Sequence, residues 1–76
     1  MREKYFLTST TYHYEKERIF YGIALAYERF GVYEVIDQFF ALSESKELVE
    51  DLVYELNKNR TTPFYFRNIV EKLFGT

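Results

Sequence analysis

Up to Leu42 this chain reads as strand, with apolar residues falling largely at every second position between two breaks, and after Ser43 they fall at helical spacing. Side chains of period two line one face of a strand, whereas those spaced i, i+3 and i+4 line one face of a helix. A chain with one such change of period builds a sheet first and lays helices against it afterwards, which is an α+β arrangement.

Lys4 to Tyr14 reads as the first strand, with Phe6, Thr8, Thr10, Tyr12 and Tyr14 on one face. Glu15-Lys16-Glu17-Arg18 is a polar break. Ile19 to Tyr27 is the second strand, with Ile19, Tyr21, Ile23, Leu25 and Tyr27 on one face. A two-residue turn at Lys16-Glu17 predicts Tyr14 opposite Ile19, Tyr12 opposite Tyr21 and Phe6 opposite Tyr27, so that the apolar faces coincide. These residues are not the favoured Asn-Gly type, and a four-residue loop is the alternative. The other face of the second strand, Phe20, Gly22, Ala24 and Ala26, is small and flat. It is expected to be a solvent face, or else a surface that another backbone approaches closely.

Arg29-Phe30-Gly31 forms the second turn, with Gly31 supplying a positive φ. Val32 to Leu42 is the third strand. Its alternation is impure, because Tyr33, Val35 and Phe39 share a face with Asp37; a bulge, or an exposed Phe39 or Phe40, would resolve the conflict. Ser43-Glu44-Ser45 then starts a helix, either Ser able to cap it, with Glu44 and Glu47 where the helix dipole favours negative charge. Leu48, Val49, Leu52, Val53 and Leu56 form its apolar stripe, and Asn57-Lys58-Asn59-Arg60 ends it. Thr62-Pro63 starts a second helix with the stripe Phe66, Ile69, Val70, Leu73 and Phe74, closed by Gly75. The predicted fold is one domain over residues 1–76: a three-stranded antiparallel meander followed by two amphipathic helices packed on one face.

A domain of 76 residues buries only about 60% of the surface its unfolded chain exposes. Eight Tyr and eight Phe supply the apolar area that makes such a core dense enough. With no Cys, neither a disulfide framework nor a thiolate metal site is available. The start of the chain shows no signal-peptide pattern, and no run of about 18 apolar residues exists. We therefore expect a soluble, cytoplasmic protein with no membrane partner. A net charge of −2 argues against nonspecific nucleic-acid binding by the whole surface.

Catalytic chemistry has few carriers here. His13 is the only imidazole, near the first turn and away from the apolar face. Glu47, Asp51 and Glu55, spaced i, i+4 and i+8, read as a solvated acidic face. There is no Gly-rich phosphate loop, nucleophile elbow or paired metal-ligand motif. We expect no enzymatic activity, no cofactor and no metal.

What remains is recognition. Tyr54 and Tyr65 fall off the apolar stripes and Phe64 sits at a helix start. Together with Arg60 and Arg67 they are of the residue types most enriched at protein interfaces. They are the expected protein-binding contacts of a small regulator or inhibitor, anti-CRISPR- or antitoxin-like, acting on another protein. The alternative is an anion or nucleic-acid site built from Lys58, Arg60, Thr62, Arg67, Asn68 and the N-terminus of the second helix. A homodimer through the edge strand Lys4–Tyr14, which carries little charge in its middle, is a further expectation.

The Tyr21-Gly22-Ile23 strand, the Leu42-Ser43 helix start, the Val49/Leu52/Val53/Leu56-Asn57 helix and the Pro63-Phe64-Tyr65-Phe66-Arg67-Asn68-Ile69-Val70-Glu71 segment resemble a small family of uncharacterised proteins from clostridia and related Gram-positive bacteria. The resemblance covers residues 19–74. It implies the βββαα outline and a bacterial or phage origin, and no known activity. In that family the last segment carries His and Asp where this chain has Tyr65 and Asn68.

Overall fold

The computed structural model describes residues 2–75. Three strands, β1 (Arg2–His13), β2 (Glu17–Arg29) and β3 (Val32–Ser43), are followed by the helices α1 (Lys46–Lys58) and α2 (Pro63–Phe74). The sheet is antiparallel with order β1-β2-β3. Both helices contribute to a core on one face of it: Tyr5, Ile23, Leu25, Val49, Leu56, Phe66 and Val70 are all buried together. The predicted α+β architecture and element order are the observed ones. No helix of the described residues is long and apolar enough to cross a membrane.

The first hairpin differs from expectation in register. Tyr5 lies opposite Leu25, Leu7 opposite Ile23 and Tyr12 opposite Arg18 rather than Tyr21. The displacement is three residues, and an odd shift turns every β1 side chain to the other face. Tyr5 and Leu7 therefore face the helices, while Phe6, Thr8, Thr10 and Tyr12 face away. Burial of Tyr5 decides the contest. Its ring is 2% exposed and meets Phe66 edge-on at a centroid distance of 4.9 Å. Of the face predicted for the core, Phe6, Thr8, Thr10, Tyr12 and Tyr14, both tyrosines are exposed.

The small face of β2 is not open to solvent. Ala26 is 1% exposed, because Phe6 from β1 and Tyr33 from β3 close over the alanines and meet edge-on at 5.3 Å. Gly22 is approached by a backbone, that of β3. A Cβ on Gly22 would stand 2.2 Å from the carbonyl oxygen of Phe39 and 3.1 Å from Cα of Phe40. That contact sits at one of two register shifts in the β2–β3 ladder, between Tyr21 and Ile23; the other lies between Leu25 and Ala26. The first includes Ala41 at φ 52°. The mixed pattern of β3 is thus resolved by bulges, with Phe39 packed on the core and Phe40 exposed. Phe30 and Gly31 both take positive φ in the β2–β3 turn, the mirror-image geometry that suits a tight hairpin.

Ser45 caps α1, its hydroxyl accepting from the backbone N–H of Leu48 at 3.2 Å. Thr62 caps α2, Pro63 opens it, and Gly75 ends it at φ 69°. Leu48 and Leu73, expected on the apolar stripes, are instead largely exposed. The stripes narrow to Val49, Leu52, Val53 and Leu56 in α1, and to Phe66, Ile69, Val70 and Phe74 in α2.

Candidate protein-interaction surface

The turn between the helices is held by β1. Asn57 lies four residues beyond Val53, so it continues the inward stripe of α1 with an amide instead of a methyl. Its Oδ1 accepts from the backbone N–H of Tyr5 at 2.8 Å, and its Nδ2 donates to the Tyr5 carbonyl at 3.0 Å. The Tyr5 hydroxyl donates to the carbonyl oxygen of Thr61 at 2.5 Å. Burial pushes that hydroxyl's pKa up to about 12, with the charge of Glu3 adding to the effect. Leu56 and Asn57 accept from the backbone N–H groups of Thr61 and Arg60, and Arg60 adopts φ 50°. The path from α1 into α2 is therefore fixed from both sides.

That fixed turn presents the candidate contacts. Phe64 (72% exposed) and Tyr65 (61% exposed) stand on the first turn of α2, ring against ring at 5.7 Å. Tyr54 lies on the solvent side of α1, with the Lys58 ammonium 6.0 Å from its ring centroid. Arg60 is exposed in the turn and borders an open groove of about 820 Å³, which Arg2, Lys4, Glu3, Glu28 and Thr62 also line.

Arg67 is placed differently. Its guanidinium donates to both carboxylate oxygens of Asp37 at 2.9 Å and lies 5.1 Å from the Phe39 ring centroid. It ties α2 to β3. Of the alternative anion site, the Thr62 hydroxyl accepts from the Tyr65 N–H as the cap of α2. Asn68 is exposed on α2. The structure thus joins Phe64 with Tyr65, and Tyr54 with Lys58, and engages Arg67 elsewhere.

Sequence reasoning did not single out Tyr5, Asp37 or Asn57 as the residues that orient this surface. A signal existed for two of them. Asp37 interrupts an apolar face and Asn57 extends an apolar stripe, and each interruption marks a polar group with an internal partner.

His13 is exposed and its Nδ1 stands 3.8 Å from a Glu17 carboxylate oxygen. Glu47, Asp51 and Glu55 are exposed on α1. Among the described residues, no three His, Cys, Asp or Glu side chains come together as metal ligands.

Comparison with curated proteins and with solved structures finds no match. A family model does match, across residues 1–75, well beyond the segment that carried the resemblance. The chain belongs to that family, described as a family of unknown function (DUF6514).

Proposed function

We propose that this protein acts without chemistry of its own, by docking on another protein through Phe64, Tyr65, Tyr54 and Arg60, with Arg67 at the rim. The observation that carries this reading is the aromatic pair Phe64–Tyr65, exposed on a helix start that the Asn57–Tyr5 and Tyr5–Thr61 hydrogen bonds hold in place. Large rigid side chains presented on an ordered backbone lose little entropy on binding, which is the property of interface anchors. Lys58 and Arg60 lie beside these aromatics in the chain. The partner surface that fits is an apolar pocket rimmed by carboxylates. A bacterial or phage-borne regulator or inhibitor, anti-CRISPR- or antitoxin-like, is the concrete form of this proposal.

The competing anion or nucleic-acid site is weaker, because the Asp37 carboxylate already neutralises Arg67 and leaves Lys58 and Arg60 as its cations. So few phosphate contacts supply little affinity at physiological salt.

The test is capture from a bacterial lysate by the native chain and by Phe64→Ala/Tyr65→Ala, with and without nuclease. A discrete protein held by the native chain, resistant to nuclease and lost by at least about tenfold in the double variant, is the expected result. Equal capture by a folded double variant, shown by an unchanged circular dichroism spectrum and Tm, would refute the site. Capture that disappears with nuclease would transfer the function to the cationic turn.

A further inference from the structure

The two edges of the sheet are unlike. β3 is interrupted by two register shifts, carries Glu34 and Asp37, and is crossed by Arg67 from α2. These are devices that keep an edge from pairing with another chain. β1 has none of them along most of its length. It pairs with β2 residue for residue from Arg2 to His13 without a bulge. From Tyr5 to Tyr12 it holds no charged residue, no Gly and no Pro.

Asn57 shows which way the strand's backbone faces. Because the amide of Asn57 takes both the N–H and the C=O of Tyr5, these groups point away from β2. In an unbroken antiparallel ladder the direction alternates. The N–H and C=O groups of Leu7, Ser9, Thr11 and His13 therefore point outward as well. Among the described residues, no other side chain or loop bonds to this edge.

We propose that the open edge of β1 pairs antiparallel with β1 of a second copy of this chain, about a two-fold axis at Thr10. The boundaries of the open edge fix the register of this pair. Asn57 closes it at Tyr5, and the strand ends at His13. The outward residues left between are Leu7, Ser9, Thr11 and His13, and their midpoint is Thr10. A two-fold there matches Leu7 with His13 and Ser9 with Thr11, so every outward N–H finds an outward carbonyl. On the helix-free face it sets Thr8 across from Tyr12 and Thr10 across from itself, with no like charges opposed within the paired segment. The product is a six-stranded sheet with all four helices on one face. The edge shares no residue with the Phe64–Tyr65 surface, so this inference stands independently of the proposed docking function.

Sedimentation velocity on the full chain tests it, over concentrations rising to about 1 mM, the weak limit of specific association. The native protein is expected to dimerise with concentration. Thr10→Lys and Thr10→Glu each place like charges face to face at the axis, and each is expected to weaken dimerisation by about tenfold or more. An equimolar mixture of the two is expected to restore a dimer of one copy of each. Ser9→Pro removes an outward N–H without touching the β1–β2 ladder, and gives the same loss should a Thr10 variant fail to fold. A native chain that stays monomeric throughout would overturn the proposal. So would a dimer that tolerates Ser9→Pro and both Thr10 variants.

Discussion

Tyr5 carries more of this molecule than any other residue. Its ring packs against Phe66, its backbone receives Asn57, and its hydroxyl holds Thr61. Replacing it with Phe keeps the ring and removes the hydroxyl, leaving the Thr61 carbonyl without that donor. A loss of about 1 kcal/mol at neutral pH is expected from urea denaturation. The pH response is the sharper signature. A phenol whose pKa rises from 10.0 in the unfolded chain to about 12 in the fold keeps its proton in the fold over a window where the unfolded chain has lost it. Stability supplied by this group is complete below pH 10 and falls as pH climbs towards 12. Denaturation midpoints across that window should drop in the native chain, with a shallower drop in Tyr5→Phe. Equal slopes would show that the hydroxyl does not titrate out of place. None of this could be read from the sequence, where Tyr5 was one aromatic among sixteen. Its role depends on partners more than fifty residues away.

At the level of the elements, local chemistry was legible and pairing was not. Ser45, Thr62-Pro63 and Gly75 punctuate the helices as their residue types require, because capping is decided within one turn of the backbone. Helical periodicity set Tyr54 and Tyr65 off the apolar stripes for the same reason, and both are exposed; Phe64, placed by its position at a helix start, is exposed as well. The β1–β2 register was misread because two alternating faces were available and the choice between them is made by Phe66 and Asn57, not by the hairpin. Arg67 looked available for the same kind of reason, its carboxylate partner lying thirty residues earlier on another element. Gly22 belongs to this scale too. Its missing side chain is what lets the β3 bulge lie against β2. Gly22→Ala is expected to cost about 1–3 kcal/mol, since the methyl would meet backbone that cannot swing aside. Thermal denaturation reads the effect, and an unshifted Tm would mean that β3 relaxes freely at Phe39–Phe40.

Across the whole molecule, the two helices are fastened to opposite outer strands, α1 to β1 through Asn57 and α2 to β3 through Arg67. The layer above the sheet thus clasps it at both margins near one end. The other end is built differently. Pairing of β2 with β3 stops at Tyr21 and Ser43, while pairing with β1 runs on to Glu17 and His13. Residues 10–13 and 17–20 form a two-stranded ribbon that outruns the third strand, in a molecule 43 Å long and only 19 Å thick. Ribbons of two strands are marginal by themselves, and beyond the third strand this one is tied only by the exposed ion pair of Arg18 with Glu44 among the described residues, so this end is expected to open more readily than the clasped one. Amide protons record the difference. Hydrogen exchange should be slow at Ile23 and Leu25 and many times faster in dilute protein at Tyr12 and Arg18, which bond to each other within the ribbon, and at Thr11, whose N–H faces outward. Raising the concentration, or adding whatever chain lies along β1, should slow Thr11 while leaving Ile23 unchanged. The free end of the hairpin is in this sense a gauge carried by the protein itself, one that reports occupancy of its edge without a label.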